Sequence, residues 1–292
     1  MTKISIIIPT YNRKQAVLKT ANCLLKQDYP RQKYEIIIVD DGSTDETYEM
    51  LKRIKDIRVF RQNNKGPAAA RNLGIKKAKY DLIAFTDDDC LPQKNWLKKI
   101  AGYYKKHPGL AGVGGIAYTP LKMIKPLTHH ALPLNDAKLN ALKFRFPPTC
   151  NVSYKKHTII KAGMFHENFD APTTEDVDLF IRVSKIGEVI FDRNLAMLHS
   201  AGKSTVRKQI KRFKDYYRGF EIIETEYPRE FKQIYISENT RKKFTDMALS
   251  FPALKKILYY KPAYLLNPIT LFKLAYLFIA TRLFVIKQRF FR

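Results

Sequence analysis

Two short runs of β-branched apolar residues constrain the fold of this chain more than any other feature. ISIIIPT occupies Ile4–Thr10 and YEIIIVDD occupies Tyr34–Asp41, and both runs end in polar residues. Runs of this length without polar alternation are typical of strands buried on both faces of a parallel sheet. The segment between them, Lys14–Lys26, has helical spacing at Ala16, Val17, Thr20, Cys23 and Leu24. The pattern predicts a βαβ unit.

The alternation of strand and helix continues after this unit. We expect a helix after Thr44, a strand near Ile57–Phe60, a helix over Pro67–Lys77 and a strand over Asp81–Thr86. Beyond Gly112 the pattern loosens, with one strand-like stretch at 112–119 and a helix opening at Thr174. The sequence therefore predicts an α/β fold with an open sheet flanked by helices.

Polar residues follow three of the predicted strands where each strand ends. The segments are Thr10–Asn12, Asp40–Ser43 and Asp87–Asp89. Ligands of open α/β sheets bind outside the carboxyl ends of the strands. We therefore expect these segments to line one crevice.

Asp87, Asp88 and Asp89 are consecutive carboxylates at the end of an apolar run. Their mutual repulsion requires a compensating charge or hydrogen-bond donors. A hard divalent cation, Mg²⁺ or Mn²⁺, is suited to such a site. The alternative is a solvated acidic turn, since Asp is common in turns.

Two further segments could contact a nucleotide. Asp40 follows four apolar residues and could accept from a base N–H and a ribose hydroxyl, although cap and turn chemistry explains the Gly42–Asp45 loop that follows it. Arg71 lies near the start of the predicted helix over Pro67–Lys77 and could bind a phosphate or a carboxylate. An exposed helical arginine is the commoner case.

Acidic residues open the later predicted helix: Glu175, Asp176 and Asp178 lie in its first turn. Such acids favour the helix dipole, yet one held near the crevice could act as a general base. His199 follows a short apolar run and could complete a metal shell or contact a diphosphate, or it could be structural.

The composition indicates a folded protein with an anionic partner. Hydrophobic residues make up 45% and aromatic residues 12% of the chain, and the net charge is +26. The three cysteines, Cys23, Cys90 and Cys150, have neither metal-ligand spacing nor a disulfide framework, which fits a reducing cytosol. The N-terminal apolar run is too short for a signal peptide, so we expect a protein that is not exported.

The positive charge is concentrated in the C-terminal region. From Lys203 onward there are 20 basic and 7 acidic residues, an excess of 13 positive charges. In the apolar closing stretch, residues 268–292, Lys273 and Arg282 interrupt any membrane span. We expect a basic amphipathic helical region over 203–292 that lies on an anionic membrane surface. The alternative is a helical pair that packs on the α/β domain and leaves a basic face in solvent.

Taken together, these segments resemble the family 2 inverting glycosyltransferases. The carriers are ISIIIPTYNR (4–13), VDDGSTD (39–45), GPAAARNLGI (66–75), FTDDDCLPQKNWL (85–97), TCNVSYKK (149–156) and EDVDLFIR (175–182). The resemblance covers about two thirds of the chain, in the family's order. It implies the GT-A fold, a Rossmann-like open mixed sheet, over residues 1–202. Residues 1–110 would bind the nucleotide sugar and 111–202 the acceptor.

The resemblance also assigns roles to individual residues. It implies Asp176 as the catalytic base and Asp87, Asp89 and His199 as ligands of Mn²⁺ or Mg²⁺. The implied nucleotide-binding residues are Pro9, Thr10, Tyr11, Asp40, Asp41, Arg71, Asp87 and Asp88, and the implied acceptor-side residues are Trp96, Cys150, Asn151 and Glu175.

The implied reaction is transfer of one sugar from a nucleotide sugar, a UDP-sugar above all, to a glycan or lipid-linked acceptor at the cytoplasmic face of the membrane. A Gln-x-x-Arg-Trp element, typical of processive synthases, is absent from the sequence, because QIKRF at 209–213 lacks the Trp.

Two other functions fit parts of the sequence. A nucleic-acid-binding protein would explain the charge, although the acidic crevice argues against it. A catalytically silent nucleotide-sugar binder would keep the binding residues without turnover.

Overall fold

The computed structural model describes residues 1–118, 146–167, 174–200 and 206–234 of the 292-residue chain. Within these ranges one sheet contains eight strands, in the order β3-β2-β1-β4-β7-β6-β8-β5. The strands are β1 Ile4–Thr10, β2 Tyr34–Asp40, β3 Ile57–Arg61, β4 Leu82–Phe85, β5 Cys90–Pro92, β6 Gly112–Tyr118, β7 Val152–Lys155 and β8 Val189–His199.

The described helices lie between and after these strands. They are α1 Lys14–Leu25, α2 Thr47–Lys52, α3 Pro67–Lys77, α4 Trp96–Lys106, α5 Lys156–Lys161, α6 Glu175–Ser184, α7 Val206–Glu226 and α8 Pro228–Ile234. Two short 3₁₀ turns cover Arg31–Lys33 and Thr149–Asn151. The expected βαβ unit corresponds to β1, α1 and β2, and the expected elements that follow it correspond to α2, β3, α3 and β4. These predictions are confirmed, with boundaries that differ by at most a few residues.

Both faces of the central strands are buried, as their continuous apolar runs predict. Ile6 and Ile8 of β1 face one cluster, which includes Leu24 of α1. Ile7 between them faces the other cluster, which includes Ile75 of α3. Alternate residues of one strand therefore anchor helices on opposite sides of the sheet, and the open, helix-flanked α/β architecture is confirmed.

The sheet is mixed, and the sequence pattern does not predict the strand pairing of its second half. Strands β1, β2, β3 and β4 are parallel, whereas β7 pairs antiparallel with both β4 and β6. The strand expected over residues 112–119 is β6. In β6 a Cβ on Gly115 would overlap the carbonyl oxygen of Leu195, so the absence of a side chain allows β8 to approach.

The contacts divide the chain into two compact units. Among described residues, 1–118, 146–167 and 174–200 form the first, and 206–234 belong to the second. The second contains α7 and α8, with Ile223 and Phe231 buried. None of the described helices has both the length and the hydropathy that crossing a membrane requires. The apolar closing stretch at 268–292 lies outside the described residues, and the domain boundary at residue 202 stays a prediction.

Candidate active site

The carboxyl ends of β1, β2 and β4 meet at one edge of the sheet. Their parallel registers pair Thr10 with Asp40 and Ile7 with Phe85. At this edge the Thr10 hydroxyl donates to Asp88 Oδ2 at 2.8 Å. The polar segments that follow the three strands therefore share one crevice.

Two arginines compensate the three consecutive aspartates. Arg13 Nη1 lies 2.9 Å from Asp88 Oδ1 and 2.5 Å from Asp89 Oδ2. Arg71 Nη2 lies 2.9 Å from Asp87 Oδ1. Burial raises the pKa of Asp88 to about 7, and attraction to Arg13 only partly opposes it. Part of the charge compensation thus comes from the protein itself.

Sequence reasoning does not single out Arg13. The available signal is its position just beyond β1, in the same crevice as three carboxylates that require positive charge. Thr20 of α1 supports the same turn, since its hydroxyl contacts the backbone carbonyls of Asp88 and Cys90 at 2.9 and 2.8 Å. These contacts fix the backbone of the acidic turn to α1.

Potential metal ligands converge beside the acidic turn. Asp87, Asp89, Cys90 and His199 each place a ligand atom within 4.8 Å of the others. Antiparallel pairing of β5 with β8 sets Cys90 opposite His199, and His199 Nε2 lies 3.4 Å from Asp89 Oδ1. Two carboxylates and an imidazole fit a divalent cation such as Mn²⁺, and the Cys90 thiol is a softer potential ligand. The three predicted metal ligands thus lie together.

The two aspartates at the end of β2 have different surroundings. Both carboxylate oxygens of Asp41 accept hydrogen bonds from within the protein. Its carboxylate accepts from the Gln62 side-chain amide at 2.8 Å and from the backbone N–H groups of Lys65 and Gly66 at 2.9 and 2.8 Å. Gly42, at φ +82°, makes the turn beside this loop. Asp41 therefore fastens the segment that leads into α3.

Asp40 keeps one carboxylate oxygen available. The residue is fully buried, and its Oδ2 accepts from the Ser43 N–H at 3.1 Å and lies 3.4 Å from Arg61 Nε. Within the described residues Asp40 Oδ1 has no hydrogen-bond partner. A buried acceptor without a donor is costly, so this oxygen suits an incoming N–H or O–H group.

The other predicted nucleotide-binding residues of β1 differ in exposure. Pro9 is buried within the strand, opposite Val39 of β2. Tyr11, the next residue after the strand, is 43% exposed. Its neighbour Asn12 accepts from the Thr44 N–H at 2.7 Å, which fixes the turn that presents Tyr11. Tyr11 thus offers an aromatic ring at the end of β1, whereas Pro9 lies within the strand, and the nucleotide-binding role of both stays a prediction.

The acidic pair at the start of α6 is close to the acidic turn. Asp176 is half-buried and accepts from the backbone N–H groups of Val177, at 2.8 Å, and Thr149. Glu175 accepts from Arg71 Nη1 at 3.1 Å, and its Oε2 is buried with no partner in the described residues. Burial raises the pKa of both carboxyls, and Arg71 opposes the rise. The third acid of this turn, Asp178, is fully buried and pairs with Arg182 at 2.5 Å, so it has a structural role.

Two predicted acceptor-side residues, Trp96 and Asn151, are buried and hydrogen-bonded to each other. The Trp96 indole is 1% exposed and donates to Asn151 Oδ1 at 2.9 Å. Asn151 is fully buried and donates to the carbonyls of Leu195 and Ile116 at 2.7 and 2.9 Å. The three hydrogen bonds that the structure describes for the Asn151 side chain are internal, and the acceptor-side role of this pair stays a prediction.

Cys150, the third predicted acceptor-side residue, lies against Cys90. The thiols are hydrogen-bonded to each other, and both are buried. This hydrogen bond, together with burial, raises the pKa of Cys90 well above its usual value. The Cys150 thiol therefore contacts Cys90, one member of the metal-ligand cluster.

Comparison with known proteins gives the geometry a context. The chain is 33% identical over 147 residues to the poly(ribitol-phosphate) beta-N-acetylglucosaminyltransferase TarS of Staphylococcus aureus, a match that covers 47% of this chain. The match covers 26% of the length of TarS, so it extends over only part of that relative.

Solved structures share the fold. The mannosyltransferase PcManGT of Pyrobaculum calidifontis, in complex with GDP-Man and Mn²⁺, gives a TM-score of 0.66 at 20% identity, over 99% of this chain and 88% of the other. Residues 1–349 of S. aureus TarS, in complex with UDP-GlcNAc, give 0.59 at 18% identity, over 99% and 92%. These likenesses confirm the expected GT-A fold.

The family assignment comes from the sequence itself. The family model for glycosyl transferase family 2 matches residues 5–162, more than half of the 292-residue chain. This range contains β1 to β7 and the acidic turn after β4. The chain therefore belongs to glycosyl transferase family 2.

Proposed function

We propose that this chain is a metal-assisted, inverting glycosyltransferase that moves one sugar from a nucleotide sugar, a UDP-sugar, to a glycan or lipid-linked acceptor. One observation carries the proposal. A single guanidinium, that of Arg71, lies 2.9 Å from Asp87 of the metal-ligand cluster and 3.1 Å from Glu175 of the acidic pair. A cation site and a candidate base are therefore close enough to act on one donor.

The nucleoside would bind beside the ends of β1 and β2. The unpartnered Oδ1 of Asp40 suits a base N–H, and the exposed ring of Tyr11 suits stacking on a base. The likeness to structures named as complexes with UDP-GlcNAc and GDP-Man supports a nucleotide-sugar donor at this edge. Thr10, Asp41 and Asp88 would shape the site, since their side chains are engaged within the protein.

The diphosphate would lie at the metal-ligand cluster. A divalent cation, Mn²⁺ or Mg²⁺, held by Asp87, Asp89 and His199 would neutralise charge on the departing nucleoside diphosphate. Arg13 holds the carboxylate of Asp89, so this side chain is oriented before any ligand arrives.

Asp176 would act as the general base. It would take the proton of the acceptor hydroxyl while the hydroxyl oxygen forms a bond to the anomeric carbon. The bond from that carbon to the diphosphate oxygen breaks on the opposite face, so the anomeric configuration inverts. Burial raises the pKa of Asp176, which makes its ionised form a better proton acceptor near neutral pH.

The acceptor and the location follow from the charge distribution. The excess of 13 positive charges from Lys203 onward suits an anionic inner membrane face, where lipid-linked intermediates of cell-surface polysaccharides or glycolipids could be presented. TarS, a relative, is named for a poly(ribitol-phosphate) acceptor. Family membership and the acidic crevice disfavour nucleic acid as the partner.

Thermal unfolding with a panel of nucleotide sugars, with and without Mn²⁺, tests the donor site, since a ligand that binds only the folded state stabilises it by an amount that grows with the ratio of ligand concentration to Kd. We expect stabilisation by UDP-sugars that requires Mn²⁺. Transfer to lipid-linked and glycan acceptors is then assayed, with Asp176→Asn as the inactive control, and the product anomer is determined by NMR. Stabilisation without turnover on any acceptor would indicate a silent binder. A retained anomeric configuration would contradict the inverting mechanism.

A further inference from the structure

Arg71 is a buried cation that joins two parts of the proposed site. It lies in α3, is 5% exposed, and follows three consecutive alanines. Its Nη2 donates to Asp87 at 2.9 Å and its Nη1 donates to Glu175 at 3.1 Å. The guanidinium carbon lies 5.5 Å from the centre of the Phe165 ring. Both terminal nitrogens therefore already contact carboxylates.

The two carboxylates belong to elements that are distant in the sequence. Asp87 follows β4, and Glu175 is the first residue of α6. Removing water from a guanidinium is costly unless carboxylates replace its hydration, and breaking such a pair leaves the remaining charge buried. The position of Asp87 and the start of α6 are consequently both tied to Arg71.

We propose that Arg71 is a positioning residue for the transfer reaction, which orients Asp87 at the cation site and the Glu175–Asp176 pair at the acceptor through one guanidinium. This inference rests on the proposed function and changes the role of Arg71 from contact with the nucleotide to orientation of two carboxylate groups.

The charges around the acidic pair support a functional link. Asp176 faces Arg71, Asp87 and Glu175, with the buried side chains of Tyr154 and Cys150 nearby. Arg71 is the cation that lowers the pKa of both Asp176 and Glu175. Removing its charge should raise these pKa values further, so more of the base would be protonated at a given pH.

Two variants separate charge from geometry. Arg71→Met keeps an unbranched, flexible side chain but removes the guanidinium and its charge, and Arg71→Lys keeps the charge but loses the two-pronged contact. Arg182→Met is the matched control, because Arg182 also pairs with a buried carboxylate of α6, that of Asp178, outside the proposed site. Thermal unfolding of all three shows which variants fold.

The full chain is then assayed for Mn²⁺ binding by titration calorimetry in the presence of UDP, and for kcat as a function of pH. For Arg71→Met we expect Mn²⁺ affinity and kcat to fall about 10- to 100-fold, as for groups that orient metal ligands. The acid limb of kcat should move about one unit to higher pH. Arg71→Lys should restore the acid limb and only part of kcat, and Arg182→Met should change neither Mn²⁺ affinity nor the acid limb.

Several results would overturn the inference. The first is that both Arg71 variants leave the Mn²⁺ affinity and the acid limb of kcat unchanged. The second is that Arg182→Met shifts the acid limb of kcat as much as Arg71→Met does. The third is a loss of UDP affinity at saturating Mn²⁺ that is as large as the loss of kcat. The last result would return Arg71 to nucleotide contact. If the wild type transfers no sugar, the proposed function fails, and the calorimetric comparison of Mn²⁺ affinity still decides whether Arg71 orients Asp87.

Discussion

Replacing Asn151 by alanine should destabilise the fold and leave acceptor recognition largely intact. The substitution removes three internal hydrogen bonds: one from the Trp96 indole and two to the carbonyls of Leu195 and Ile116. Leaving a buried polar group without its partner costs about 1–3 kcal/mol. Taking the lower value for each bond, we expect a loss of about 3 kcal/mol in the free energy of unfolding.

Trp96 provides the probe for this measurement. It is the only tryptophan in the sequence and the direct partner of Asn151, so its fluorescence follows unfolding of the unit that contains the sheet. With an m-value of about 3 kcal/mol/M in urea, the expected loss shifts the midpoint by about 1 M. Asn194→Ala is the control, because Asn194 is exposed in β8, and it should change stability by less than about 0.5 kcal/mol.

The result that would refute this reasoning is a specific kinetic defect. If Asn151→Ala lost less than about 1 kcal/mol while the KM for the acceptor rose tenfold or more, Asn151 would face the acceptor. The buried hydrogen-bond network would then be an incorrect description of this position. A stability loss with a normal acceptor KM, measured well below the unfolding temperature, supports the core role.

Three further predictions concern the chemistry. Asp176→Asn should lower kcat by about 10²- to 10⁴-fold with unchanged Mn²⁺-dependent UDP binding, and near-normal turnover would exclude Asp176 as the base. The base must be ionised to accept a proton, and burial raises the pKa of Asp176. On acidification, kcat should therefore begin to fall at a higher pH than the value of about 4 at which an ordinary aspartate titrates. A profile that is flat down to pH 4.5 would contradict this direction. Asp89→Ala and His199→Ala should each raise the Mn²⁺ concentration required for transfer, and metal removal by a chelator should abolish wild-type transfer; activity that persists in excess chelator would contradict a metal requirement.

The first half of the sheet could be predicted because its signals are local. The β-branched run of β1 and the acidic end of β2 are continuous in sequence, so strand identity, burial and the edge where ligands bind can all be inferred from short windows. The same holds for the acidic turn after β4. Hence the sequence alone indicates the convergence of Thr10, Asp40 and Asp87.

The remainder depends on pairings between distant segments. The position of β7 between β4 and β6 and the pairing of β5 with β8, which sets His199 against Cys90, are not encoded in any local period. The side-chain partners of Arg71 and Asn151 are likewise decided by tertiary packing, so no local pattern indicates the internal contacts that the structure shows for both residues.

The hydrogen bonds between Asp41 and residues 62–66 hold this loop in one conformation, and this rigidity affects the rate and affinity of ligand binding at the adjacent edge of the sheet. Three donors from this loop bind the Asp41 carboxylate in the folded protein. The loop therefore loses its conformational entropy on folding, and ordering it does not lower the affinity of a ligand that binds later. A mobile loop would have to be captured after each encounter. Asp41 therefore contributes to ligand affinity through rigidity, although its own oxygens are occupied.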